Sequence, residues 1–139
     1  MRTYRSGTRW GVWLWTDVAF RGALYLRRLH LIKTPRLGAM LHWLSRDPQP
    51  DPHDHPVGFI SIVLRGHYTE WTPAGVRTIR WLNVKRREDA HRITACAPGT
   101  LTLVFCWAPG GQSRRWGFHT PEGWVDWQDY APIGLERDR

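Results

Sequence analysis

Turn-forming residues recur along this chain at intervals too short for helices of ordinary length. Breaks fall at Thr34-Pro35, Asp47 to Pro52, Arg65-Gly66, Thr72 to Gly75, Ala97 to Gly99, Pro109 to Gly111 and Pro121 to Gly123. Proline fixes φ and removes a donor, and glycine takes the positive φ that tight turns need. Such punctuation predicts many short strands in a sandwich or barrel. The expected strands are Leu24 to Ile32, Leu37 to Leu44, Phe59 to Leu64, His67 to Thr72, Arg77 to Val84, His91 to Ala95 and Leu101 to Trp107. Phe59 to Leu64 is apolar at nearly every position, as in a strand covered on both faces, and Leu101 to Trp107 reads as a second buried strand. Only Thr16 to Tyr25 has a claim to be helical.

At 139 residues with 42% hydrophobic side chains, the chain is long enough for one domain with one core. The expected division is an N-terminal extension over 1–23, a barrel over 24–130 and a flexible tail over 131–139. Ten tryptophans are many for this length; each carries an N–H that wants a partner, so several should line a pocket or rim. The formal charge of +8 favours anionic partners, although the arginines are scattered, with no basic tract. Cys96 and Cys106 lie in apolar runs outside any C-x-x-C pair, which removes zinc-finger chemistry and predicts buried thiols. No stretch approaches the roughly 20 apolar residues that span a bilayer, and the N-terminus does not read as a signal peptide. A soluble cytoplasmic protein with no membrane partner is expected.

The chemistry concentrates at Asp51-Pro52-His53-Asp54-His55-Pro56. In extended chain, residues i and i+2 share a face, so His53 and His55 can turn their imidazoles toward one divalent ion at about 2.0–2.1 Å. The flanking prolines favour extended backbone. A third ligand must come from elsewhere, and His91, in Glu88-Asp89-Ala90-His91-Arg92-Ile93-Thr94, supplies it. The plain alternative for His53 and His55 is an exposed loop with two polar rings.

His-x-His, an apolar strand and Gly66, followed by Ala-His-Arg-Ile before a Pro-Gly turn and a Leu-Thr-Leu-Val-Phe strand, resembles the two sequence motifs of the cupin superfamily. The first motif maps onto His53, His55 and Gly66, the second onto His91. A narrower resemblance, to small uncharacterised cupins of bacteriophages and actinobacteria, rests on Leu41-His42, Asp47, His53 to Pro56, Ser61, Val63-Leu64, Gly66, Tyr68, Glu70, Ala90 to Ile93, Trp116 to Phe118 and Gly123-Trp124. The resemblance implies an all-β fold: a single cupin-type double-stranded β-helix, or jelly-roll, barrel. Cupins of the common type carry a glutamate ligand shortly after His-x-His. Here Phe59 and Ile60 stand in that region. Either the site is of the three-histidine kind found in the thiol-dioxygenase branch, or another side chain replaces the glutamate, with Glu70 the candidate. His42 is a further candidate on its strand, and Tyr68 and Arg92 are possible additional site residues. His119, in an aromatic turn-rich segment, is a candidate acid or base. His30 and His67 are unassigned.

Three neutral imidazoles suit Fe(II), Zn, Ni, Cu or Mn. The resemblance favours Fe(II) and a dioxygenase-type oxidoreductase acting on a small anionic or aromatic molecule. Arg65, Arg80, Arg92, Trp71, Trp81 and Trp107 are the candidates to bind it. The alternative is a non-catalytic module that binds an anionic small molecule, nucleotide or protein partner. A zinc hydrolase or isomerase, or a nucleic-acid role, comes third. By analogy with the family, a homodimer paired through edge strands is expected.

Overall fold

The computed structural model describes residues 11–20, 23–45, 51–108, 115–130 and 137–138. Every helix-or-strand element among them is a strand. In chain order these are β1 (Gly11–Phe20), β2 (Ala23–Lys33), β3 (Leu37–Leu44), β4 (Gly58–Arg65), β5 (Tyr68–Thr72), β6 (Gly75–Ile79), β7 (Leu82–Lys85), β8 (Arg92–Cys96), β9 (Leu101–Trp107), β10 (Gly117–Thr120), β11 (Gly123–Asp126) and β12 (Arg137–Asp138). Seven of them form one sheet, in the order β12-β1-β2-β3-β9-β4-β7; β6-β5-β8 form another, and β10-β11 a hairpin. His53 makes antiparallel bridges to both His91 and Phe118. That one residue joins the three-stranded sheet to the hairpin and creates a discontinuous second sheet facing the first.

Val63, Tyr68, Ile79 and Ile93 pack together between the two sheets, one from each of β4, β5, β6 and β8. On β4 the alternation turns Phe59, Ser61 and Val63 inward and Ile60 and Ile62 outward, with Ser61 and Val63 buried. The turn from β4 to β5 runs through Gly66 at φ 79°, where a Cβ would stand 2.5 Å from Thr100 Oγ1. Glycine is required there on both counts.

The all-β expectation holds, with two corrections to its elements. Thr16 to Tyr25 is not a helix; it covers the end of β1 and the start of β2, which pair along their length with a bulge at Val18/Ala19. Cross-strand pairing outweighs a weak local preference. Arg77 to Val84 is not one strand. It breaks at Arg80-Trp81, so that β6 pairs with β5 in one sheet and β7 with β4 in the other. No glycine or proline marks that corner; the Trp81 carbonyl is anchored instead by the Val63 amide at 2.8 Å. Within the proposed extension, residues 11–20 are an integral sheet strand, and within the proposed tail Arg137 and Asp138 pair with β1. Residues 1–10, 21–22, 131–136 and 139 lie outside the described residues.

Candidate metal centre

Backbone pairing sets the histidine geometry. The His53 amide donates to the His91 carbonyl at 2.9 Å and the His91 amide returns the bond at 3.0 Å. The two residues are therefore a hydrogen-bonded antiparallel pair with side chains on the same face. Two residues on, His55 shares that face, while its amide is held by the Arg87 carbonyl. Asp54, between them, points the opposite way. It accepts the Gly117 amide at 2.8 Å and the Trp124 indole N–H at 3.1 Å, and so clasps the β10-β11 hairpin onto the histidine segment.

The ring nitrogens of His53, His55 and His91 that can serve as ligands all lie within 4.8 Å of one another. His55 Nε2 and His91 Nε2 are 3.1 Å apart. Two nitrogens at 2.0–2.1 Å from one ion, at angles of 90–110°, would stand about 2.8–3.4 Å apart, so this pair already has the separation an ion requires. His53 Nδ1 is buried with no hydrogen-bond partner, an omission that buried polar atoms rarely tolerate unless something else satisfies them. The donor set and its orphaned nitrogen fit a divalent metal.

Protonation favours the same use. Burial, then the neighbouring imidazoles of His91 and His119, holds His53 well below the ordinary histidine pKa. Burial also lowers His91, against the opposing pull of Glu70. Neutral rings keep a lone pair for a metal. Behind His91 sits Glu70, fully buried, which takes the His91 Nδ1–H at 2.7 Å. Because a carboxylate only accepts, that proton must sit on Nδ1, and Nε2 is left as the lone pair facing the centre. Glu70 also accepts Arg77 Nε at 2.8 Å, Lys85 Nζ at 2.9 Å and Asn83 Nδ2 at 3.1 Å. Burial alone would raise its carboxyl; the hydrogen bonds from His91 and Lys85, with the charge of Lys85, outweigh burial and hold it well below the carboxylate range. Asn83 also donates to the Tyr68 hydroxyl at 2.8 Å, and burial pushes that phenol up to about 12.

Aromatic rings close the flanks. Phe59 lies 4.8 Å from the His55 ring and Phe118 5.7 Å from His53. Trp116 is 6.2 Å from His53 and stacks on Trp127, while Tyr130 stacks on Phe118 and hydrogen-bonds Asp51.

Each expected residue can now be placed. The structure gathers His53, His55 and His91. Glu70 stands behind His91 and does not replace a fourth ligand in the cluster. His119 follows inward-facing Phe118 and turns to the other side, 3.4 Å from Asp54 Oδ2 and half exposed. His42 faces inward from β3 between Thr102 and Arg28, its Nε2 buried without a partner, but it is not part of the metal cluster. Arg92 alternates between inward His91 and Ile93 and so lies on the opposite face. Arg65 reaches the Gly99 carbonyl on the surface, Trp81 is exposed, and Trp107 covers Gly58. Arg80 is exposed, and Trp71 alternates away from inward Tyr68 and Glu70. Sequence reasoning missed Lys85, Asn83 and Arg77. On β7 the polar residues face in and the apolar residues Leu82 and Val84 face out, which inverts the usual pattern.

Comparison with solved structures agrees with this architecture. A cupin 2 conserved barrel domain protein from Rhodopseudomonas palustris superposes with a TM-score of 0.59 over 88% of each chain, at 13% identity. The fold is that of a cupin. The polyketide cyclase RemF from Streptomyces resistomycificus matches at 0.57, with 17% identity over 86% of this chain and 87% of that one. The DMSP lyase DddQ from Ruegeria pomeroyi DSS-3 matches at 0.54, with 16% identity over 88% of this chain and 61% of its own. No protein-family model matches the sequence, and no curated protein does.

Proposed function

We propose that this cupin is a metal-dependent enzyme for a small anionic molecule, with iron(II) as its ion and oxidation by O2 as its reaction. The reading rests on one observation: three imidazoles converge on a point, and the nearest interior carboxylate, Glu70, is spent behind one of them. An iron(II) ion on such a neutral set would supply O2 activation beside a bound substrate. His53, His55 and His91 would hold it. Glu70 keeps the proton on His91 Nδ1, and Phe59, Phe118 and Trp116 exclude water from the flanks. Two cations, buried Lys85 and half-exposed Arg77, share the single carboxylate of Glu70. That excess of positive charge, added to a divalent ion, favours an anionic substrate.

A second reading keeps the site and changes the chemistry. RemF is named a cyclase and DddQ a lyase, and a redox-inert ion could serve this cupin by polarising a substrate oxygen. A non-catalytic binding module would use the same centre without turnover. The experiment is metal analysis of the purified protein, then oxygen uptake by iron- and zinc-loaded samples over a panel of small carboxylates and thiols. Oxygen uptake confined to the iron form supports the proposal. Equal turnover by both forms without oxygen supports the second reading and defeats the first.

A further inference from the structure

The inner face of the seven-stranded sheet departs from the apolar pattern toward its β1-β2-β3 end. Register sets Thr16, Arg28, His42 and Thr102 in one row across β1, β2, β3 and β9, with His30 opposite Met40 in the next. Leu44, two residues after His42, packs on the Val63 core, so this row faces the interior. Thr16, His30 and Thr102 are buried. The Thr16 hydroxyl accepts Arg28 Nε at 2.8 Å and stands 3.3 Å from His30 Nε2, which fixes the guanidinium against the sheet. His42 Nε2 is buried with no partner.

Charge gives this corner its sign. Asp17 is the one acid on β1, β2, β3 and β9, and it lies on the outer face, bonded to Arg27. The charge of Arg28 bears on His30, His42 and Cys106, and that of Lys33 on His30 and Cys106. A neutral imidazole still carries one N–H, and an orphaned buried nitrogen is costly until something bonds it. Two cations and an unsatisfied imidazole, on an inner face with no acid, suit an oxyanion. The corner is separate from the metal ligands but shares a surface with them. Cys106 pairs with Phe59, whose ring lies 4.8 Å from that of His55. From β2 to β4 is three strand spacings, about 14 Å, within the span of an extended small molecule.

We propose that Arg28 and His42 form an oxyanion subsite, which holds the carboxylate or phosphate of the substrate while its other end reaches the three histidines. Thr16 and His30 position the guanidinium. This supplies the anchor for the anionic substrate proposed above and rests on that reading.

Calorimetric titration of the full chain with succinate and with inorganic phosphate, at constant ionic strength, tests this. The wild type should bind at least one probe saturably, and the binding should survive chelation of the metal; the tighter probe names the oxyanion. Arg28→Gln should weaken binding about 10- to 100-fold with metal content unchanged. Arg65→Gln, which removes the same charge from the surface, should bind as the wild type does. His42→Leu should weaken binding about tenfold yet keep its urea midpoint, since it deletes an orphaned nitrogen; a purely structural His42 would lose midpoint and keep affinity. Should Arg28→Gln fail to fold, His42→Leu carries the test. No saturable binding by the wild type overturns the inference, and so does binding that disappears with the metal or that folded Arg28→Gln or His42→Leu retains in full. None of these readouts uses iron or oxygen, so the oxidative reading can fail while the subsite stands.

Discussion

Replacing Glu70 with Gln changes one atom and removes one charge, at a position with no solvent exposure. The carboxylate accepts four donors, from His91, Arg77, Lys85 and Asn83. Gln keeps the shape and one acceptor oxygen but turns the other position into a donor. Arg77 is half exposed and can return to water, so its share of the loss is small. Lys85 is 5% exposed and keeps its charge without its partner. Breaking a buried pair from one side costs about 3–5 kcal/mol, a large part of the 5–15 kcal/mol typical of a domain. His91 also loses its anionic anchor, which should weaken metal binding about 10- to 100-fold. Urea denaturation of metal-free protein measures the first effect and chelator competition the second. The double variant Glu70→Gln with Lys85→Met removes both charges and should recover part of the stability but none of the metal affinity. A stability loss under about 1 kcal/mol together with unchanged metal affinity would refute the argument that Glu70 is both the counter-ion of Lys85 and the anchor of His91.

His53→Ala, His55→Ala and His91→Ala should each abolish stoichiometric metal binding, while His30→Ala, whose ring bonds Thr16, should keep it; equal loss in all four would point to unfolding. Burial, then the charge of Arg28, holds His42 well below its usual pKa and His30 down to about 3. Both stay neutral in the fold but gain a proton when unfolded, so metal-free stability is present above pH 6.5 and declines as pH falls below it. Each contributes up to about 1.4 kcal/mol per pH unit, and Glu70 extends the loss below the ordinary carboxylate range; a denaturation series that stays flat from pH 7 to 5 contradicts this. Asp54→Ala should cost about 1–3 kcal/mol by orphaning the Gly117 amide, with protease cutting first in the β10-β11 hairpin. His119→Ala, on the outward side, should leave metal content unchanged.

The sequence was most readable where local rules decide. Turn residues mark most strand ends, and the i, i+2 rule alone places His53 and His55 on one face. It was least readable where two sheets share one run. The corner at Arg80-Trp81 has no turn residue because its geometry is held by a long-range bond from Val63. Glu70 looked like a candidate ligand because spacing reports which face a residue takes, not which side of His91 it reaches. The inward polar residues of β7 were hidden because binary pattern assumes that apolar means inside, and on this sheet both faces are apolar in part. The side taken by His119 was not legible for a related reason: its neighbour Phe118, not His119, takes the inward position opposite His53.

The three residues His53, Asp54 and His55 serve two masters in alternate directions. Their outer residues supply the centre, and their middle residue latches the hairpin. An insertion or deletion of one residue there would turn the site inside out, presenting an acid to the cavity and imidazoles to the Trp124 indole. Donor set and latch therefore cannot drift apart by small changes in loop length. Any viable change in this stretch must be a substitution, and a carboxylate substituted at residue 53 or 55 would convert the donor set without disturbing the latch.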